Sequence, residues 1–139
     1  MQALVVQSLG GDRYAVSVRG HELIVDQPVE AGSTDLGPTP VDLFVASHAS
    51  CVAHYAGGFL TRHHICRDGL RVDTTWQMAE DRPARVAGIA LQITPPPSMP
   101  PERIPALLAV ARACTVHNTL EQAPAVRIEV AEAKIAAPV

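Results

Sequence analysis

Two thiols stand where chemistry could be done. Cys51 and Cys114 each lie in an apolar stretch of helical character, and each is followed three residues later by histidine, in Cys51-Val-Ala-His54 and Cys114-Thr-Val-His117. Cysteines on two separate helices form a redox couple, supply a metal site, or pack as inert core residues, free cysteine being among the most buried residue types. The metal reading draws on Cys₂His₂ ligation of tetrahedral zinc. It requires both members of each pair to face one cavity, and the closely spaced cysteine pair of a zinc finger is missing. The redox reading requires a thiolate at neutral pH, a cation to favour it, and a second thiol within reach of the sulfenic acid that forms. Arg13 and Arg19 are the candidate cations, since arginine stays charged when partly buried. Asp42 is the candidate carboxylate to hold the arginine. The plainer alternatives are a solvated strand surface for both arginines and helix capping for Asp42. His48, His54 and His117 are near the thiols in sequence and could move a proton; each taken singly fits a hydrogen-bonded core histidine. Cys66, in His63-His64-Ile65-Cys66-Arg67, reads as loop and is given no role.

The elements that must position these groups follow from pattern. Tyr14–Arg19 and Glu22–Asp26 alternate and are joined by a short link, which predicts a hairpin, with a preceding strand around Ala3–Ser8. Pro28–Pro40 is a loop. Thr39-Pro40-Val41-Asp42 opens a helix: threonine caps, proline suits the first helical position, and the carboxylate reaches back to free N–H groups. The helix is expected to run to about His63. Its apolar residues cover nearly the whole circumference, so it must be buried all round. A small sheet covers one side, and a second copy of the chain is expected on the other. Leu70–Met78 and Val86–Thr94 read as strands, Pro95–Pro101 as a stiff connector, and Pro101-Glu102 as the start of a helix with Ile104, Leu107, Leu108 and Ala111 on its apolar stripe, continued by Cys114. A short helical turn over Thr115–Gln122 and a last strand over Val126–Val130 complete one α+β domain, 1–139.

Composition narrows the function. The chain has 139 residues, 47% of them hydrophobic, and a net charge of −3, which together describe one globular domain. No basic stripe and few aromatic residues argue against nucleic acid as a partner. Three cysteines make an odd count, unlike a secreted disulfide framework. The N-terminal residues do not read as a signal peptide, so the expected location is the cytoplasm. Val41–Leu60 has about the length of a membrane span, but Asp42, His48, His54 and two serines argue for burial in protein instead.

The run Gly37-Pro38-Thr39-Pro40-Val41-Asp42-Leu43-Phe44-Val45-Ala46-Ser47-His48-Ala49-Ser50-Cys51 resembles the first cysteine segment of the OsmC/Ohr family. Cys114-Thr-Val-His-Asn-Thr-Leu120 resembles its second, and the resemblance spans essentially the whole chain. It implies an intertwined homodimer in which sheets of both chains wrap a pair of long central helices. It also implies a thiol-dependent peroxidase acting on organic hydroperoxides, with Cys51 as the attacking thiol and Cys114 as the resolving one. The electrons come from an external dithiol, a lipoyl-bearing protein in the hydroperoxide-resistance branch, and no metal or organic cofactor is needed. In that branch an arginine of the N-terminal strands, held by a glutamate at the start of the long helix, activates the thiolate. Arg13, after Gly10-Gly11-Asp12, is the better match to that arginine and Arg19 the reserve. The glutamate position is Val41 here, and the acid comes one residue later at Asp42, about 100° round a helix. A binding protein for a small hydrophobic ligand is the rival reading on the same scaffold.

Overall fold

The alternating residues of the N-terminal third do form strands. In the computed structural model, which describes residues 1–132, β1 (Val5–Gly10), β2 (Arg13–Val18) and β3 (His21–Val25) make an antiparallel meander in the order β1-β2-β3. The β2–β3 turn is two residues long, and both Arg19 (φ 49°) and Gly20 (φ 79°) are left-handed, the backbone that matches strand twist in tight hairpins. Ala15 and Val25 are the buried apolar residues of this sheet, whereas every residue of β1 is exposed.

A single carboxylate organises the loop that follows. Asp26 is fully buried. It accepts hydrogen bonds from the backbone N–H groups of Leu36 (3.0 Å) and Gln27 (2.7 Å), and from the hydroxyls of Thr34 (2.6 Å) and Ser33. The Leu36 amide and the two hydroxyls hold its pKa far below the ordinary 3.8, against the opposing pull of burial. The loop then closes on β3 so tightly that a Cβ at Gly37 would collide with the Ile24 carbonyl oxygen, which is why glycine stands there. Because the folded state favours the ionised form, the Asp26 contribution to stability is complete well above pH 3.8 and is lost as pH falls below it. Asp26→Asn is expected to flatten the acid limb of the melting temperature between about pH 5 and 2 and to lower the neutral-pH melting temperature by roughly 10 °C. Thermal denaturation across that range checks both.

Helix α1 (Pro40–Arg62) starts as its sequence dictates. Thr39 Oγ1 accepts from the Asp42 N–H at 3.0 Å, and Asp42 Oδ2 accepts from the Thr39 N–H at 2.9 Å, a complete capping box. The helix packs on the two-stranded antiparallel sheet β4 (Arg71–Met78) and β5 (Val86–Thr94), and on α2 (Ile104–Arg112) and α3 (Thr115–Glu121). One core patch joins Ala56, Phe59 and Leu60 of α1 to Met99 and Leu107, and a second joins Val52 to Ala111 and Cys114.

One expectation changes, that of a last strand, while one side of α1 stands open as expected. Within one chain α1 is covered along one face, through Val45, His48, Val52, Ala56, Phe59 and Leu60, while Phe44 is 44% exposed. The meander does not supply the missing cover: β1–β3 pack on one another and make at most marginal contact with the helices and the second sheet. Val126–Val130 is not a strand here. The chain from Ala123 to Glu132 is irregular, and Val126, Ile128 and Val130 are exposed. A strand needs an edge to pair with, and the pairings of β1–β5 do not include this segment. Among the described residues no helix is long and apolar enough to cross a membrane.

Candidate active site

The site is built where α3 turns back onto α1. Cys51 sits mid-helix, half-buried, in contact with the core patch that contains Cys114. Cys114 is fully buried and is the N-cap of α3, its sulfur accepting the His117 backbone N–H at 3.3 Å. The approach of the two helices is pinned one turn further along by Tyr55, whose hydroxyl hydrogen-bonds the Thr115 hydroxyl at 2.8 Å. Both sulfurs are free thiols.

Their environments differ. Burial pushes the Cys114 thiol pKa up, the His117 N–H pulls against this, and the hydrogen bond and charge of Cys51 push it up further. Cys114 therefore rests as a neutral thiol. A neutral, enclosed thiol beside an accessible one suits a resolving partner better than an attacking one.

The other candidates are distributed as follows. Arg13 lies on β2, where its Nε donates to the Gly10 carbonyl of its own turn at 3.5 Å, and Arg19 lies in the β2–β3 turn. The sheet that carries them makes at most marginal contact with α1 of its own chain, and neither arginine has a hydrogen bond to a cysteine among the described residues. Asp42 is at the helix start with Oδ2 committed to the cap. His54 is exposed and packs edge-on against Tyr55. No group of three or more metal-ligating side chains occurs among the described residues, so the two Cys-x-x-His pairs do not converge as zinc ligands would.

His48 and His117 are brought together from opposite parts of the chain. Their rings stack with centroids 5.3 Å apart, and His48 Nε2 lies 3.2 Å from His117 Nδ1. Burial, then the neighbouring His117, lowers the His48 pKa. The pair lines a cleft of about 320 Å³ whose walls include Val52, Leu91, Ile93 and Leu108. Val52, Leu91 and Ile93 also belong to the core patch around the cysteines, so the cleft and the thiols share a wall. Each histidine is visible in the sequence as a neighbour of a thiol; their mutual contact is not, because it spans two elements.

A family model described as OsmC-like protein matches residues 32–129. Among solved structures, a Psychrobacter arcticus protein described as an osmotic-stress-induced and detoxification-response protein is 26% identical, with a TM-score of 0.77 over 86% of this chain and 88% of that one. An OsmC-like protein of Mycoplasma pneumoniae superposes with a TM-score of 0.71 at 18% identity, covering 88% of this chain and 89% of that one. The organic hydroperoxide resistance protein OhrB of Bacillus subtilis does so at 0.63 and 18% identity, covering 87% and 92%; these two establish likeness of fold. None of the curated proteins compared matches this chain. With the family match across both cysteine segments and the shared architecture, the chain belongs to the OsmC-like protein family.

Proposed function

We propose that the protein is a thiol-dependent peroxidase that reduces organic hydroperoxides to alcohols. The observation that carries this reading is the meeting of an accessible Cys51 with a buried, neutral Cys114 across two helices. The Cys51 thiolate attacks the distal oxygen of the hydroperoxide. An S–O bond forms, the O–O bond breaks, and the alkoxide leaves and is protonated to the alcohol. Cys114 then attacks the Cys51 sulfenic acid, giving a disulfide and water. An external dithiol, such as a lipoyl group on a partner protein in the reducing cytoplasm, returns both sulfurs to thiols. The apolar walls of the adjoining cleft favour an organic group on the peroxide over hydrogen peroxide.

The working unit in this proposal is a homodimer. The open face of α1, the separate meander and the exposed apolar residues Val5, Val6 and Leu23 support it. In such a dimer Arg13 reaches Cys51 from a second copy of the chain, and Asp42 Oδ1, the oxygen outside the capping box, orients it. Arg13→Ala is expected to slow oxidation of Cys51 by at least ~10-fold at about pH 7, with Arg19→Ala near wild type. A mixture of Arg13→Ala and Cys51→Ser chains, exchanged into mixed dimers, should regain activity that neither parent shows. Activity assays after subunit exchange measure this.

The reading itself is tested by adding one equivalent of cumene hydroperoxide to reduced protein and weighing the intact chain. Loss of two hydrogens is the expected result. An unchanged mass, with cumene hydroperoxide retained on the protein, would instead identify a binding protein for small hydrophobic ligands.

A further inference from the structure

We propose that His48 and His117 act together as the proton donor to the departing alkoxide, from the floor of the cleft that receives the organic group of the peroxide. The proposal rests on the peroxidase reading above and assigns it a catalytic pair. Four observations support it. His48 is only 4% exposed, yet it lines an open cleft. Its Nδ1 is buried with no hydrogen-bond partner, so Nδ1 is the ring nitrogen left to give a proton. Its Nε2 is 3.2 Å from His117 Nδ1, a distance at which one ring donates and the other accepts. At the outer end, His117 Nε2 faces the Glu121 carboxylate at 3.6 Å, near solvent. The result is a file of exchangeable positions running from the buried cleft to the surface.

The chemistry requires such a donor. When the Cys51 thiolate takes the distal hydroxyl oxygen, the electron pair of the O–O bond goes to the alkoxide, a strong base. The cleft around it is walled by apolar side chains from α1, α2 and β5, including Val52, Leu108 and Ile89, which limit water. Of the groups that line it, only His48, His117 and Arg112 carry exchangeable protons on a charged or titratable side chain, and a guanidinium does not give up its proton in this range. The protonated histidine pair gives its proton to the alkoxide and is left neutral. Solvent then restores the proton through His117 Nε2 beside Glu121. Sulfenic acid and alcohol are the products, and the proton delivered equals the one Cys51 released on becoming thiolate.

The groups facing the pair are few. They are the Glu121 carboxylate on α3, the Arg112 guanidinium on α2, the Cys51 and Cys114 thiols beside the shared wall, and apolar β5 residues; burial, then His117, lowers the His48 pKa, which sets the falling limb toward lower pH. The rate of Cys51 oxidation should therefore rise with pH as thiolate forms and fall again as the pair loses its proton, a bell-shaped profile.

The test uses full-length Cys114→Ser protein, so that a single oxidation is followed, with cumene hydroperoxide as oxidant and rapid quenching with an alkylating agent. His117→Gln in that background is expected to slow oxidation ~100-fold and to remove the falling limb of the profile. Alkylation of Cys51 by iodoacetamide, which expels iodide and needs no acid, should stay within about twofold of the parent. His48→Gln provides the second reading if His117→Gln does not fold. Equal oxidation rates and an unchanged bell in both variants would overturn the relay while leaving the peroxidase standing. Failure of the unsubstituted histidine protein to react with the hydroperoxide at all would overturn both.

Discussion

Cys51→Ser is expected to reduce hydroperoxide turnover by ~10³-fold or more, because a hydroxyl at that position cannot replace a thiolate as nucleophile. Cys114→Ser should stop turnover differently. Its Cys51 still reacts once, and a sulfenic acid accumulates that dimedone traps and mass spectrometry locates. Peroxide consumption under limiting dithiol separates the two variants: none for the first, one equivalent for the second. The asymmetry follows from the unequal environments of the sulfurs, one half-open and the other enclosed and neutral. If Cys114 rather than Cys51 carried the first adduct, the assignment of roles would be reversed.

A large loss of stability is also expected from Leu60→Ala. Leu60 is fully buried and, beside Phe59 of the same helix, ties α1 to Met99 and Leu107 in the core patch that does not contain the thiols. Truncating such a leucine leaves a cavity as well as removing apolar contact and costs about 3 kcal/mol, or roughly 10 °C in melting temperature. Chemical denaturation should show the drop with little change in slope. Because Cys51 and Cys114 belong to the other patch, their reaction at a temperature where the variant is folded should stay near wild type.

Local signals in the chain are legible and long-range ones are not. Thr39-Pro40-Val41-Asp42 announces the start of α1 because every partner in the capping box lies within three residues. The hairpins follow from alternation and from Arg19-Gly20, again a short-range code. The two cysteine segments can be read as a pair, although their contact depends on α3 folding back to α1. Asp26 gives no warning of its role, since a lone aspartate before a loop looks the same whether solvated or enclosed by four donors. Val126-Arg-Ile-Glu-Val130 shows the opposite failure. Its alternation is a true strand pattern, but a strand forms only by pairing, and the pairings of β1–β5 do not include it. The circumferential apolarity of α1 is a demand for cover, and one side of that demand is unmet inside one chain.

The seclusion of Cys114 has a consequence for the return half of the cycle. Once the sulfurs are bonded, an incoming dithiol can approach only the one with an open side. It must therefore form its mixed linkage with Cys51 and expel Cys114 inward, back to the pocket where it began. Regeneration is thereby given a single direction, and a bulky monothiol should stall at that halfway species.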